Sequence, residues 1–346
     1  MDPARAGAGV GDWLFAARGR KTPSGPEGSS GMRLARARRR LVAGVRSVPR
    51  RRRARRERKM SYEVLARQWR PQQFKDVVGQ DHVTKTLERA ILTGRVAHAY
   101  MFVGSRGTGK TTTARIFAKS LNCQNRKPGS AEPCGECDSC REIMAGNSLD
   151  VIEIDGASNN NVDQVRELRD NVRYAPSRGP YKIYIIDEVH MLSTGAFNAL
   201  LKTLEEPPAH VKFCMATTDV HKVPITILSR CQRFDLRRIS IKDITGRLRE
   251  IAAASGWTVS EEALQSLAKT AEGGLRDAES ALDQVVSARG EHLEEQDVLD
   301  VFGLVSWSAV GDMAEGVLKG DHPMLLEGVK RMDERGRDFQ IGRAHV

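Results

Sequence analysis

The chain has 346 residues, a formal net charge of +11 at pH 7 and a mean hydropathy of −0.44. Hydrophobic residues make up 40% of it, but no run of 18 or more of them occurs. This pattern excludes a membrane-spanning helix and predicts a cytoplasmic, folded protein.

The positive charge is concentrated at the start of the chain. Residues 1–59 contain 18 Lys and Arg against 4 Asp and Glu, whereas the remaining residues contain 37 basic and 40 acidic ones. We therefore expect a basic disordered leader over residues 1–59, interpreted as upstream sequence ahead of a true start at Met60. A basic arm on DNA and an Arg-rich transit peptide are the alternatives, and the total charge does not support nucleic-acid binding by the folded part.

A phosphate-binding loop is the strongest motif. Residues 104–111 fit the pattern G-x-x-x-x-G-K-[ST], between a predicted strand over 99–103 and a predicted helix over 111–122. The glycines allow backbone N–H groups to surround phosphate oxygens, and the helix N-terminus adds partial positive charge. Lys110 is expected to contact the terminal phosphates and Thr111 to offer an oxygen to Mg²⁺. The motif predicts nucleoside triphosphate binding.

Four cysteines follow this helix, with ten, two and two residues between them. They are Cys123, Cys134, Cys137 and Cys140. Two consecutive C-x2-C steps are typical of a closed, structural Zn²⁺ site with four thiolates. Disulfides and an iron–sulfur cluster are the alternatives, but the first is rare in cytosolic proteins and the ferredoxin spacing does not continue after Cys140. Cys214 and Cys231 are predicted to be buried small residues.

A hydrolysis site is predicted where two later strands end. The apolar strand over residues 182–186 leads into Asp187 and Glu188. Beside a phosphate loop, Asp187 can hold the Mg²⁺ shell and Glu188 can polarise the attacking water. The strand over 211–216 ends in Thr217 and Thr218, whose hydroxyls suit the same water or phosphate.

The order of the predicted elements indicates the fold class. Further strands are predicted over 151–155 and 231–236, and helices over 62–68, 80–92 and 162–172. Strands that alternate with helices predict an α/β fold with a parallel, doubly wound sheet. From residue 241 the pattern is helical, with predicted helices over 241–254, 260–271 and 274–288.

Together these motifs resemble the gamma/tau subunit family of bacterial DNA polymerase III, the ATPases of the clamp loader. The resemblance runs from Met60 to about Phe339. Besides the phosphate loop and the four cysteines, it rests on Ser61-Tyr62, Leu65-Ala66-Arg67, Trp69-Arg70-Pro71, Val77-Val78-Gly79-Gln80, Ile185-Ile186-Asp187-Glu188-Val189-His190-Met191-Leu192, the stretch 198–208, Leu228-Ser229-Arg230-Cys231 and Gly274-Leu275-Arg276-Asp277-Ala278.

The resemblance implies a P-loop AAA+ domain with an inserted zinc module, a small three-helix lid domain and the start of a helical collar domain. Such subunits use ATP and Mg²⁺, with structural Zn²⁺. They form a hetero-pentamer that contains several copies of the subunit, and they place the sliding clamp on primed DNA beside the polymerase core. The resemblance does not make the chain a polymerising subunit.

The resemblance also implies roles for particular residues. Arg230 matches the arginine finger that acts on a neighbour's nucleotide, Arg276 the second sensor and Thr218 the first sensor, with Thr217 its close alternative. With Lys110, Asp187 and Glu188 these form the expected catalytic set. The expected nucleotide-binding set is Arg70, Pro71, Val78, Gly104, Ser105, Arg106, Gly107, Thr108, Gly109, Lys110, Thr111 and Thr112. From the sequence pattern alone, Arg276 is as consistent with an ordinary surface arginine.

Domain boundaries follow from these matches. We expect an ATPase domain over 60–240 with its zinc module at about 123–140, a lid over 241–303 and the start of the collar over 304–340. Residues 341–346 are interpreted as an artefact of the translated sequence.

Two other functions stay open. One is a nucleotide-binding scaffold without turnover. The other is a related AAA+ branch-migration helicase, which fits the core of the fold but not the four cysteines.

Overall fold

Five parallel strands form the main sheet of the part of the chain that the computed structural model describes, residues 64–158, 171–305 and 307–334. The strands are β1 (Ala99–Val103), β2 (Val151–Asp155), β3 (Lys182–Asp187), β4 (Val211–Thr217) and β5 (Gln232–Asp235), in the spatial order β2-β3-β4-β1-β5. Each begins and ends within one residue of its predicted bounds. The predicted parallel, doubly wound fold is confirmed.

Helices connect and follow these strands. They are α1 (Leu65–Gln68), α2 (Asp81–Thr93), α3 (Lys110–Asn122), α4 (Asp138–Ala145), α5 (Thr194–Glu205), α6 (Ile225–Leu228), α7 (Ile241–Ser255), α8 (Glu261–Thr270), α9 (Leu275–Arg289), α10 (Glu295–Phe302), α11 (Trp307–Lys319) and α12 (His322–Glu334). Single turns of 3-10 helix lie at Phe74–Asp76, Val189–Met191 and Val220–Lys222. The sequence pattern did not single out α4, α5 or α10.

Local capping explains where several helices begin and end. Ser193, Ser240 and Ser260 precede α5, α7 and α8, and each side chain accepts a hydrogen bond from the backbone three residues later. Gly94 and Gly256 end α2 and α7 with φ of 70° and 79°, the left-handed conformation that glycine adopts without steric cost. These signals are local, which is why the sequence predicted the bounds of α2, α7 and α8 well.

Both faces of the main sheet are buried. On one face Tyr100 and Phe102 of β1 pack against α2 and α3, and the Tyr100 and Phe117 rings meet edge to face at 4.8 Å. On the other face Met101, Tyr184 and Phe213 pack against α5. Strands covered on both sides are mainly apolar, as β1 and the central residues of β3 and β4 are.

A second apolar core holds the helices that follow the sheet. Residues from α7, α8, α9 and α10 form it, and Leu65 of α1 joins them. Two short parallel strands, Thr258–Val259 and His292–Leu293, tie the loops of this helical unit together. Helix α1 therefore packs on the helical unit, although the chain that follows it runs back to the main sheet.

Some expectations fall outside the described residues. These are the leader over 1–59, most of the predicted helix over 162–172, and the stretch 341–346. Within the residues that the structure does describe, no helix is both long enough and apolar enough to cross a membrane.

Substituting Leu248 tests the core of the helical unit. Its side chain is fully buried among residues such as Ile244 and Leu282. Leu248→Ala removes that packing and leaves a cavity, so we expect the free energy of unfolding to fall by about 2–5 kcal/mol. Urea denaturation measures it. Lys242→Ala, on the exposed side of the same helix, should change stability by less than about 0.5 kcal/mol, and equal losses in both variants would contradict this packing.

Candidate functional site

The phosphate loop joins the end of β1 to the start of α3. Gly107 and Gly109 have φ of 76° and 97°, which side-chain-bearing residues rarely adopt. Lys110 is the first residue of α3, and its Nζ donates a hydrogen bond to the Ser105 carbonyl at 2.9 Å. Burial lowers the pKa of Lys110, while Glu188, Asp187 and Asp277 act in the opposite direction. The loop therefore has the strand, turn and helix context that phosphate binding requires.

The predicted magnesium-holding pair is in contact. Thr111 Oγ1 donates a hydrogen bond to Asp187 Oδ2 at 2.6 Å. Thr111 lies in the first turn of α3 and Asp187 ends β3, so the contact bridges two elements separated by 76 positions in sequence. A hydroxyl and a carboxylate at this place are the oxygen ligands that Mg²⁺ prefers.

Glu188 is held in a strained conformation beside a threonine and a histidine. Its φ is 44°, in the left-handed region that glutamate rarely adopts. Its Oε2 accepts hydrogen bonds from Thr218 N at 3.2 Å and Thr218 Oγ1 at 3.0 Å. His190 Nδ1 lies 3.3 Å from the same oxygen and 3.0 Å from Thr217 Oγ1. Thr218, and not Thr217, thus contacts the carboxylate, and a role for His190 was missed.

Lys110, Asp187 and Glu188 line a cleft of about 830 Å³, large enough for a nucleotide. The lining includes the predicted residues Arg70, Pro71, Val78, Arg106, Gly107, Thr108, Gly109, Lys110, Thr111, Thr112, Asp187, Glu188 and Arg276. Gly104, Ser105, Thr218 and Arg230 are not part of this lining. Gly104 and Ser105 form the base of the loop, and Thr218 reaches the cleft only through Glu188.

Arg70 connects the N-terminal side of the cleft to α3. Its Nε donates to Thr112 Oγ1 at 3.0 Å. Burial, followed by the positive charge of Arg115, lowers the pKa of Arg70 to about 10. Arg70 therefore stays charged at neutral pH and faces the cleft where an anionic ligand would bind.

The helical unit closes the cleft from the other side. Arg276 is the second residue of α9, and its backbone N approaches the Gly107 carbonyl at 3.5 Å. A Cβ built on Gly107 would lie 2.9 Å from the Cα of Gly274, so only glycine allows this approach. Arg276 is exposed and lines the cleft, so its role as the second sensor stays a prediction.

Arg230 lies on a different surface. Its Nη2 donates to Glu205 Oε1 and its Nη1 to the Thr226 carbonyl, both at 2.7 Å. About a third of its side chain is exposed. Arg230 therefore does not serve the cleft of its own chain, and its partner Glu205 was not anticipated from the sequence.

The four cysteines form one cluster. Cys123 follows α3, Cys137 precedes α4 and Cys140 lies within α4, and the sulfurs of all four, including Cys134, are within 4.8 Å of one another. The Sγ atoms of Cys134 and Cys140 are 3.9 Å apart. This is close to the separation of two sulfur ligands in a tetrahedral site with Zn–S bonds of about 2.3 Å. All six cysteines are unbonded thiols. The cluster thus fits zinc.

Cys214 is buried as predicted, whereas Cys231 is only partly buried. Burial raises the pKa of Cys214 to about 12 and that of Cys231 to about 12. Thiols that stay protonated at neutral pH are poor nucleophiles and poor metal ligands.

Glu279 is an unexpected buried carboxyl in the cleft lining. It lies one turn after Arg276 in α9, its side chain is 3% exposed, and its Oε1 has no hydrogen-bond partner. Arg247, which packs on the Trp69 ring at 5.4 Å and donates to the Trp69 carbonyl, faces it together with Arg276. Burial raises the pKa of Glu279 to about 7 despite these two positive charges.

Glu279 is expected to make stability fall as pH rises. The folded state holds its proton up to about pH 7, whereas the unfolded chain releases it near pH 4.5, so the stabilisation is complete below pH 4.5 and is lost as pH approaches 7. We expect Glu279→Gln to gain about 2–3 kcal/mol over wild type between pH 5 and 8, measured by urea unfolding. Glu262→Gln, on the exposed side of α8, should follow wild type. A difference between Glu279→Gln and wild type that stays constant with pH would refute the assignment.

Two family models match the chain. One, described as the delta subunit of DNA polymerase III, matches residues 79–240. The other, described as the ATPase lid domain of the DNA polymerase III clamp loader subunit, matches residues 243–291. The first match covers the sheet with the phosphate loop and cysteine cluster, and the second covers most of the helical unit.

Curated relatives match over 81% of the chain. The chain is 52% identical over 279 residues to the tau subunit of DNA polymerase III from Bacillus subtilis (49% of that protein) and 47% identical over 281 residues to that of Escherichia coli K12 (43%). It is 46% identical over 281 residues to the gamma subunit of Buchnera aphidicola subsp. Acyrthosiphon pisum, of which it covers 77%. The chain thus spans about half the length or less of these tau subunits.

A solved structure shares the fold. The RuvB Holliday junction branch migration motor of Thermotoga maritima superposes with a TM-score of 0.51 at 17% identity, over 72% of this chain and 79% of that one. At this identity the likeness shows the AAA+ fold alone. The identities to the gamma and tau subunits are far higher and extend from the sheet through the helical unit, and the chain therefore belongs to the gamma/tau subunit family of DNA polymerase III.

Proposed function

We propose that this protein is the ATPase of a clamp loader: it hydrolyses ATP to place a sliding clamp on primed DNA, within the cytoplasmic DNA polymerase III holoenzyme. Its family membership supports this, and so does the site. The observation that carries the proposal is the pair of contacts at the cleft, Thr111 to Asp187 and Glu188 to Thr218. These contacts support the proposal of a magnesium-holding pair and a candidate base beside one phosphate loop.

In the proposed reaction, water attacks the terminal phosphorus of ATP and the bond to the bridging oxygen breaks. Glu188 accepts the proton of the water, and Thr218 and His190 hold its carboxylate in place. Lys110 leaves the Ser105 carbonyl to contact the terminal phosphates. Mg²⁺, held by Thr111 and Asp187, would offset the charge of the phosphates. Arg276 contacts the terminal phosphate from the lid.

Subunit assembly completes the proposed site. Arg230 would act on the nucleotide of the neighbouring subunit, where it stabilises charge on the transferred phosphoryl group. Its exposure away from its own cleft supports this.

We place the ATPase domain at 60–240, the lid at 241–303 and the start of the collar at 304–340. Exposed apolar side chains on α11 and α12, such as Leu318 at 87% and Leu326 at 72%, suit contacts with other subunits of a hetero-pentamer.

The proposed partners are other clamp-loader subunits, further copies of this chain, the sliding clamp, the polymerase core and primed DNA. The deciding experiment measures ATP hydrolysis while partner subunits, clamp and primed DNA are added one at a time. We expect turnover to rise when clamp and primed DNA are present together. ATP binding without turnover would identify a scaffold, and stimulation by branched DNA without clamp would favour a branch-migration helicase.

Arg230→Ala tests the action on a neighbour. In the reconstituted complex we expect nucleotide binding to persist and turnover to fall about a thousandfold or more. Lys110→Ala should instead abolish binding or turnover, because it removes the phosphate contact within the same cleft. The control is Arg249→Ala, an exposed arginine paired with Glu261, which should turn over ATP like wild type. Equal turnover by Arg230→Ala and wild type would sink the assignment.

Metal analysis tests the proposed structural zinc. We expect about one zinc per chain. Cys140→Ser removes a buried ligand and should lose the metal with several kcal/mol of stability, because a structural zinc contributes directly to folding. Cys231→Ser, outside the cluster, should retain it. Iron in the purified protein, or far less than one zinc, would contradict the proposal.

A further inference from the structure

The N-terminal side of the nucleotide cleft is formed by a segment with little structure of its own. We call residues 70–78 the strap. Arg70, Pro71, Val77 and Val78 of the strap line the cleft, and its regular structure is limited to the single 3-10 turn Phe74–Asp76. One short turn does not fix a segment of this length. Contacts from outside the strap must therefore hold its position.

Several of these contacts come from the cysteine loop, residues 130–134, which ends at the cluster. Glu132 Oε2 accepts a hydrogen bond from Phe74 N at 2.8 Å, and Glu132 Oε1 accepts one from Lys75 N at 2.9 Å. Gln73 Nε2 donates to the Pro133 carbonyl at 3.2 Å. One carboxylate thus satisfies the first two N–H groups of the 3-10 turn, which have no partner within it.

The cysteine cluster and α3 hold the cysteine loop in position. Cys134 follows Pro133 directly, and its backbone N donates to Cys123 Sγ at 3.3 Å. Ser120 of α3 donates to the Ala131 carbonyl, and the Glu132 backbone N donates to Ser130 Oγ at 3.1 Å. Ten residues separate Cys123 from Cys134. A metal that binds both closes this loop and restricts where Glu132 can lie.

Lys119 provides a second connection between the cluster and the strap. It is 2% exposed, and its Nζ donates to the Gln72 carbonyl at 3.2 Å and to Gln72 Oε1 at 2.9 Å. Gln72 Nε2 donates in turn to the Arg70 carbonyl at 2.9 Å. The four cysteines face the charge of Lys119. Thiolates that bind a metal carry net negative charge, so this buried ammonium suits the loaded cluster.

We propose that the four-cysteine cluster braces the nucleotide cleft, so that metal occupancy and nucleotide affinity are coupled, with Glu132 as the positioning residue. The inference rests on the proposed nucleotide binding at this cleft. Coupling between two binding sites is reciprocal: if the metal strengthens nucleotide binding, nucleotide must strengthen metal binding by the same factor at equilibrium. A cluster that only stabilises its own module would show neither effect.

The test compares zinc-loaded wild type, Glu132→Ala and the control Glu136→Ala. Glu136 lies in the same module but is exposed. Two quantities are measured: the Kd for ADP carrying a fluorescent N-methylanthraniloyl group, and zinc transfer to the chromogenic chelator pyridylazoresorcinol with and without ADP. We expect Glu132→Ala to weaken ADP binding about 5- to 10-fold, by analogy with the loss of a helix cap. ADP should protect zinc by a similar factor in wild type and Glu136→Ala, and this protection should be lost in Glu132→Ala.

Gln73→Ala gives an independent readout from the strap side. It leaves the cysteine loop intact, so zinc content should match wild type while ADP affinity falls about threefold, the typical effect of one lost hydrogen bond. It also decides the question if Glu132→Ala does not fold. ADP affinity unchanged in every folded strap or loop variant, or zinc transfer unaffected by ADP in wild type, would overturn the brace. Wild type that binds no nucleotide would overturn the proposed function first.

Discussion

The parallel register of β1, β3 and β4 decides where the parts of the candidate site meet. Val103 pairs with Thr217 and Ile186 with Met215, so all three strands end at the same edge of the sheet. The phosphate loop follows β1, Thr218 follows β4, and Asp187 is the last residue of β3. Ligands bind at this edge in open parallel sheets because the chain leaves the sheet there and polar groups can gather outside the core. The Thr111–Asp187 and Glu188–Thr218 contacts are consequences of this register.

Helix α3 links the phosphate loop at this sheet edge to the cysteine cluster. Its first residue is Lys110 of the phosphate loop, and Cys123 follows its last. Between them, Ile116 and Phe117 are buried against the sheet, while Lys119 and Ser120 face the strap and the cysteine loop. A single helix of 13 residues therefore connects the phosphate loop to the cysteine cluster. The contacts of Lys119 with the strap and of Ser120 with the cysteine loop give the proposed coupling a physical basis on this helix.

The helical unit forms another side of the cleft, which combines a close backbone approach with a buried carboxyl. Gly107 and Gly274 approach so closely that neither can carry a side chain, and Asp277 lies 3.7 Å from Arg106 across the same contact. Glu279 lies deeper, where burial outweighs the attraction of two arginines. Lys110, Arg70 and Arg276 bring positive charge to the cleft lining, and burial raises the pKa of the Glu279 carboxyl that lies beside them.

The sequence by itself determined the phosphate loop, the four cysteines and the bounds of most strands, because these depend on local spacing and on the apolar runs that a sheet covered on both faces requires. It also indicated Asp187, Glu188 and Arg276, through motifs. It did not indicate His190, Glu205, Glu132, Lys119 or Glu279 as site neighbours. Each of these acts through contacts with residues brought near by folding, 57 positions away for Glu132 and Lys75. Only the tertiary structure decides such pairs, since a charged residue in sequence looks the same whether it faces solvent or a buried partner.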